Sequence, residues 1–407
     1  MTARQRAAFS LRYADEIEAI EDDFHIKSFQ GGSNALRSAP RPPRRGLGPQ
    51  AYGSGVPGGI GCDFEQSSLT FDQWNLDRAT YPAERADEYK PDGRGNGGLS
   101  LLDGIFAPPD CLCGRGVVIY MLDTGVRTTH EDFAPASRVD PGWNFVGCSG
   151  KVQDESGHGT HTAGTALGRI SGVAKCASLV PVQILDWEGK GKSSSILSAL
   201  DWVADHDAGN ARKVVSMSVG GPRSEIINGA VREMVAMGIP IIAAAGNEGE
   251  DANGVSPASE SLAITVGSTS CPEGAGGRCT SDAASGFSNF GALVDVYAPG
   301  DQIRSAWMTS DNSYKVSSGT SMAAPLVAGA VALYLEKFPA ATCYDVANAI
   351  GQTVTPVTGT KGGGESKGGM LNMPAMLKIQ PQSTLDSTKV GQVWIPGTVV
   401  RQRYGVG

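Results

Sequence analysis

From about Trp74 onward, short unbroken apolar runs rich in β-branched residues alternate with segments of helical period, and few architectures accept that pattern. The runs lie at Val117–Leu122, Leu179–Leu185, Val214–Val219, Ile239–Ala244, Leu262–Val266 and Val294–Tyr297. The clearest helical patterns lie at Ser194–Asp205, Ile226–Met237 and Ala323–Lys337. A strand that is apolar on both faces must be covered on both, and strands alternating with helices are joined in parallel by crossovers. The expected fold is therefore α/β, with three layers (α/β/α) around a mainly parallel central sheet. In such a sheet, chemistry gathers at the carboxyl ends of the strands.

Elsewhere the pattern is weaker. Arg6–Ala14 reads as helix and Ile17–Ile26 as strand, and residues 1–30 are too short to bury a core alone. From Gly31 the composition turns to Gly, Pro, Ser and Arg, so residues 31–71 read as a protease-exposed linker. Its Arg41-Pro42-Pro43-Arg44-Arg45 cluster is either a processing site or merely solvated. Residues 72–376 form the globular unit, and residues 377–407, which show no period, form a tail. The net charge of −8, without an extended Lys/Arg block, speaks against nucleic acid as a partner. No apolar run reaches the roughly 18 residues of a membrane helix. Met1–Arg12 lacks the apolar core of a secretory leader. Eight cysteines include no paired C-x-x-C metal pattern, and their even number leans toward an oxidising compartment. Cys271 and Cys279 flank a glycine-rich loop and are either a local disulfide or two buried thiols.

Four segments carry candidate chemistry. Val117–Leu122 runs into Asp123-Thr124-Gly125, which is either an acid at a strand's carboxyl end or a plain turn. Ser156–Gly164 wraps His158 in glycines at the start of an Ala/Gly-rich helical pattern, so neighbouring elements can approach closely. His161 follows three residues later, but the zinc pattern H-E-x-x-H needs a glutamate and four-residue spacing. Ile241–Ala245 ends at Gly246-Asn247, where an amide can donate to an oxyanion or simply turn the chain. Gly319-Thr320-Ser321-Met322-Ala323-Ala324-Pro325 sets a serine ahead of a helix. Pro325 is expected in the first helical turn, where its missing N–H loses no partner. Ser321 then faces free N–H groups and the positive end of the helix dipole. It is either an ordinary N-cap or a nucleophile whose own N–H can hold the oxygen that becomes negative.

The order Asp, His, Ser, each in small-residue surroundings, is that of subtilisin. Asp123-Thr-Gly, His158-Gly-Thr-His and Gly319-Thr-Ser-Met-Ala-Ala-Pro resemble the three signatures of the subtilisin-like serine proteases (peptidase S8). Ala244-Ala-Gly-Asn247 resembles the oxyanion segment of that family. Gly172-Val-Ala174, Ser218-Val-Gly-Gly221, Ser256-Pro-Ala-Ser259 and Phe287-Ser-Asn-Phe-Gly291 are similar to the proteinase K branch. Residues 1–30 resemble the back half of the inhibitory propeptide, whose front half, with a secretory leader, would lie ahead of Met1.

The resemblance implies a secreted, monomeric serine endopeptidase with a subtilisin-like fold, made as a zymogen. Ser321 would be the nucleophile, His158 the general base and then acid, and Asp123 the group that fixes the imidazole. Asn247 and the Ser321 N–H would form the oxyanion hole. The partners would be extended polypeptides and the chain's own propeptide, with no membrane and no catalytic cofactor. Gly172, Val173 and Ala174 would pair with the substrate backbone on one side, and Ser218, Val219 and Gly220 on the other. Ser218, Val219, Gly220, Ala244, Ala245 and Gly246 would wall the first pocket. Being small and uncharged, they imply an apolar or aromatic residue before the cut. A structural calcium ion would sit on the carbonyls of Ser261 and Ala263 and the carboxylate of Asp295. The other reading of Asp295 is a turn residue before a strand.

The chain departs from the family at Leu326, where histidine is usual, and at Thr162, where cysteine is frequent. Cys343 matches a branch cysteine whose usual partner position is Ile264, so that disulfide is not expected. Trp74–Arg78 and Arg85–Tyr89 resemble the start of a proprotein convertase that keeps its propeptide and acts by binding. A self-processed binding protein on the same fold is therefore the rival function.

Overall fold

The computed structural model describes residues 21–29, 112–146, 151–271, 282–360 and 368–382, together with the backbone of 392–395 and 398–401. The expected helix at Arg6–Ala14, the linker at 31–71 and the Trp74–Tyr89 likeness lie outside the described residues. In chain order the first elements are β1 (His25–Ser28), β2 (Val117–Asp123), β3 (Trp143–Asn144), α1 (His158–Leu167), β4 (Ser178–Gln183) and β5 (Lys190–Lys192). Next come α2 (Ser193–Asp205), β6 (Arg212–Met217), β7 (Val219–Pro222), α3 (Glu225–Ala236), β8 (Ile241–Ala244), β9 (Val255–Ser256) and β10 (Ile264–Ser270). The rest are β11 (Ala283–Ala284), β12 (Val296–Pro299), β13 (Ile303–Trp307), β14 (Ser313–Ser317), α4 (Thr320–Lys337), α5 (Cys343–Gly351), β15 (Gly369–Met370) and α6 (Met373–Met376). In the tail, where no period is legible, β16 (Gln392–Ile395) pairs with β17 (Thr398–Arg401).

The main sheet has nine strands, in the order β15-β12-β10-β8-β6-β2-β4-β3 with β11 added to β10. Every pairing along that path is parallel, and β11 joins antiparallel. Alternate residues of β2 explain the layers. Val117, Ile119 and Met121 pack in one apolar cluster with α1, α4 and α5. Val118, Tyr120 and Leu122 pack in the other with α2 and α3. A strand whose two faces both enter a core has to read as an unbroken apolar run. The three-layer α/β/α fold with a mainly parallel sheet is therefore as expected.

Three local features differ from the reading of the sequence. The run Val214–Val219 is not one strand: β6 ends at Met217, the chain steps out at Ser218, and β7 joins a second, antiparallel sheet ordered β5-β1-β7-β9. Among the described residues the N-terminal strand is His25–Ser28, which pairs with the edges of β5 and β7, whereas residues 21–24 of the expected Ile17–Ile26 strand are not part of it and residues 17–20 lie outside the described residues. Pro325 does not lie in the first turn. α4 starts at Thr320, so Pro325 sits in the helix interior. The backbone bond it cannot make would end on the Ser321 carbonyl, and the Ser218 hydroxyl donates there instead, at 3.0 Å.

Cys113 and Cys176 form a disulfide that precedes β2 and its parallel neighbour β4. Cys271 is disulfide-bonded, and its expected partner Cys279 lies outside the described residues. Cys343 is free, as expected from Ile264 standing at the usual partner position. No helix among the described residues is long and apolar enough to cross a membrane.

Candidate active site

Asp123 ends β2 at its carboxyl end, and His158 is the first residue of α1. Both are fully buried, and His158 Nδ1 lies 2.6 Å from Asp123 Oδ1. The same oxygen accepts from the Thr124 N–H at 2.7 Å, and Oδ2 accepts from the Thr162 hydroxyl at 3.0 Å. An acceptor held from three sides favours the tautomer with its proton on Nδ1 and leaves Nε2 as a lone pair. Nε2 is buried and has no hydrogen-bond partner. Asp154 ties the two segments together. Its Oδ1 accepts from the Thr124 hydroxyl (2.9 Å) and the Gly157 N–H (2.7 Å), and its Oδ2 from the Thr160 N–H (2.8 Å). Burial pushes its carboxyl above the ordinary range in spite of those bonds.

Ser321 is the second residue of α4 and fully buried. Its hydroxyl donates to the Ser218 carbonyl at 3.1 Å and makes no hydrogen bond to His158 Nε2. Asn247 follows β8, and Thr320 orients it: Asn247 Oδ1 accepts from both the N–H and the hydroxyl of Thr320, each at 2.9 Å. That fixes the amide with Nδ2 aimed into the cleft. Gly246, at φ +108°, must be glycine, because a Cβ there would overlap Asn289 Nδ2 and crowd Glu248. Thr124, Asp154, Thr162 and Thr320 all orient the site, and sequence reasoning assigned a role to none of them. Their place beside or between the motifs was the available signal.

β1 fills the cleft. It lies antiparallel between β5 and β7, with Ile26 opposite Gly191, Lys27 opposite both Lys190 and Gly220, and Ser28 opposite Val219. Its continuation, Phe29, donates its N–H to the Ser218 carbonyl (3.2 Å) and accepts from Asn247 Nδ2 on its own carbonyl (2.7 Å). The Phe29 ring is buried, and a Cβ on Gly220 would collide with it. Two carboxylates ahead of the strand hold helix ends. Glu21 Oε1 accepts from the Glu225 N–H at the start of α3 (2.8 Å). Asp23 accepts from the Ser194 N–H (3.0 Å) and from the Ser193 and Ser194 hydroxyls at the start of α2. Anions are favoured at helix N-termini, and Lys192, which precedes α2, offers it no side-chain cap.

The structure does not bring Gly172, Val173 and Ala174 to this cleft, which corrects their expected pairing with substrate. Their N–H groups are spent on the carbonyls of Gly168 and Ala166 at the end of α1. The edge that pairs is β5, in Gly189-Lys190-Gly191-Lys192, where alternating glycines mark a close backbone approach. Ser218, Val219 and Gly220 do lie along the strand. Ala244 and Ala245 are buried, and the Gly246 N–H donates to the Thr320 hydroxyl at 3.2 Å. Asp295 accepts from the Thr265 N–H at 2.8 Å, and burial pushes its carboxyl up to about 7. A desolvated carboxyl with so little compensation fits a cation, which would restore its charged form. Among the described residues no three His, Cys, Asp or Glu side chains cluster as a metal site, so such an ion would depend on the Ser261 and Ala263 carbonyls. Burial pushes His161 down to about 3, and its Nε2 serves the carbonyls of Ile303 and Lys315 in the β13–β14 hairpin.

Residues 114–377 match the model of the subtilase family. Over 243 residues the chain is 42% identical to an extracellular serine proteinase of Thermus sp. (strain Rt41A), covering 60% of this chain and 56% of that protein. Over 229 residues it is 43% identical to proteinase T of Parengyodontium album, covering 56% of this chain and 73% of that one. The crystal structure of a cold adapted subtilisin-like serine proteinase is similar at a TM-score of 0.60 and 36% identity, over 74% of this chain and 97% of that one. The chain spans about half the length of most curated relatives it matches.

Proposed function

The chain belongs to the subtilase family, and on that premise we propose that it is a serine endopeptidase, made as a zymogen, whose residues 21–29 occupy the cleft as its first substrate. The observation that carries this reading is the Phe29 carbonyl on Asn247 Nδ2 while the Phe29 N–H lies on the Ser218 carbonyl. A peptide so held offers its carbonyl carbon to Ser321 and its oxygen to an amide donor.

The Ser321 hydroxyl leaves the Ser218 carbonyl and gives its proton to His158 Nε2 as Oγ bonds to the carbonyl carbon. The carbonyl oxygen becomes an anion, held by Asn247 Nδ2 and the Ser321 N–H. Asp123 stabilises the imidazolium. His158 then passes the proton to the amide nitrogen, the C–N bond breaks, and the acyl group stays on Oγ as an ester. Water, deprotonated by His158, cleaves that ester and restores the serine. On this reading the first bond cut is Phe29–Gln30, just ahead of the 31–71 linker whose Arg41–Arg45 cluster is the other candidate processing site.

Substrates pair through their backbone with β5 and β7, so many sequences fit. The Phe29 ring is buried against Gly220, where a side chain would collide with it, which supports a preference for apolar or aromatic side chains before the cut. Secretion belongs to the same reading. The Thermus relative is named extracellular, and the Cys113–Cys176 disulfide suits an oxidising compartment. A calcium ion on Ser261, Ala263 and Asp295 would brace the turn before β10 and has no part in the chemistry.

One observation favours the rival function, a binding protein that keeps its processed segment. Glu21 and Asp23 anchor residues 21–29 to two helix ends, so the segment can stay after it is cut. A fluorophosphonate separates the two readings. It should label Ser321 in the processed protein and leave the Ser321→Ala variant unlabelled; processed protein that takes no label supports the binder.

A further inference from the structure

We propose that Glu248 makes this cleft select a cationic side chain at the third position before the cut. The best substrates would then carry lysine or arginine two residues ahead of an aromatic one. This rests on reading β1 as a strand bound in the manner of a substrate, with Phe29 before the cut and Lys27 at the third position.

Lys27 Nζ lies 2.9 Å from Glu248 Oε1. The other carboxylate oxygen, Oε2, belongs to the framework: it accepts from the Asn247 N–H at 2.8 Å and from Asn289 Nδ2 at 3.1 Å. Glu248 is thus held by groups that do not depend on a substrate, with one oxygen left facing the strand. A charge fixed in advance loses less freedom when its partner arrives. Burial raises the carboxyl, but Lys27, the Asn247 N–H and the Asn289 amide together outweigh it and hold the group below its ordinary range. It is therefore an anion at neutral pH.

The neighbouring positions leave this charge to the third residue. On β7 the residue opposite Lys27 is Gly220, which has no side chain to intervene. On β5 the opposite residue is Lys190, a like charge, but Glu188 answers it at 2.9 Å. Ile26 and Ser28, on either side of Lys27, carry no charge. The side chains of Lys27 and Glu248 remain 62% and 32% exposed, so the pair is partly solvated and its effect must be moderate and sensitive to salt.

The test uses protein processed from the full chain, with active sites titrated, and quenched peptides Ala-Ile-Xaa-Ser-Phe-Gln-Gly in which Xaa is Lys, Gln or Glu. In about 50 mM salt we expect kcat/KM for Lys to be about threefold above Gln and about tenfold above Glu, and the three to converge near about 1 M salt. E248Q should level the series, and E248K should invert it. Because Glu248 also bonds to Asn247, the readout is the ratio between substrates on one enzyme, which a general loss of rate does not move. Equal constants for the three peptides on the unaltered enzyme overturn this inference and leave the hydrolase reading standing. If none of the peptides is cleaved, the hydrolase reading falls and takes this inference with it.

Discussion

Ser218 and Ser321 bond to each other in both directions: the Ser218 hydroxyl donates to the Ser321 carbonyl (3.0 Å), and the Ser321 hydroxyl donates to the Ser218 carbonyl (3.1 Å). The first bond replaces the backbone donor that Pro325 removes. Without it a buried carbonyl at the start of α4 has no helical partner. Ser218→Ala, made in a Ser321→Ala background to stop self-digestion, should lower unfolding stability by about 1–3 kcal/mol in urea titrations. No change would mean that Pro325 leaves nothing to be satisfied.

Thr162 stands where the family often has cysteine, and its hydroxyl holds Asp123 Oδ2. A hydrogen bond to a charged group contributes about 1.5 kcal/mol, which is close to a factor of ten in rate. Thr162→Val should therefore lower kcat roughly tenfold with little change in KM, and Thr162→Ser should restore it. Equal activity of the Val and Ser variants would remove Thr162 from the site.

Asp23 fastens residues 21–29 to α2. Burial raises its carboxyl, but the Ser194 N–H, the Ser193 and Ser194 hydroxyls and Lys192 outweigh that and hold it below its ordinary value of 3.8. A carboxyl lowered on binding strengthens the hold above that value and loses its contribution as pH falls through the lowered one. A labelled peptide of residues 21–29 should bind the processed protein with an affinity that weakens below about pH 4. Asp23→Asn should bind more weakly at neutral pH and show a smaller acid step, what remains coming from Glu248 on Lys27. An unchanged pH profile in the Asn peptide contradicts the account.

Calcium is tested by its removal. If Asp295 with the Ser261 and Ala263 carbonyls holds the ion, chelation should lower Tm by several degrees through linkage, and added calcium should restore it. Asp295→Asn should be indifferent to both. A Tm unmoved by chelator in the unaltered protein counts against the site.

The candidate catalytic motifs were legible because each stands at the end of an apolar element and is wrapped in small residues: Asp123 at the end of β2, Asn247 after β8, Ser321 at the start of α4. The helices α2, α3 and α4 began within three residues of where their periods indicate. β5 was not legible, since Lys190-Gly191-Lys192 has neither an apolar face nor a period, and its role comes from what lies beside it. The Gly172-Val173-Ala174 segment misled for the converse reason: a motif match says nothing of where its N–H groups are spent. Which residue of the N-terminal segment reaches Asn247 is set by pairing across two strand edges, and no local pattern around Phe29 encodes that.

The central claim is that Ser321 acts on a carbonyl delivered to Asn247, and the most direct measurement is the intact mass and N-terminal sequence of the purified chain. The unaltered protein should yield a new N-terminus at Gln30 with a released fragment ending at Phe29, while Ser321→Ala stays whole. An unaltered chain that remains uncut, or a Ser321→Ala chain cut at the same bond without added protease, contradicts it.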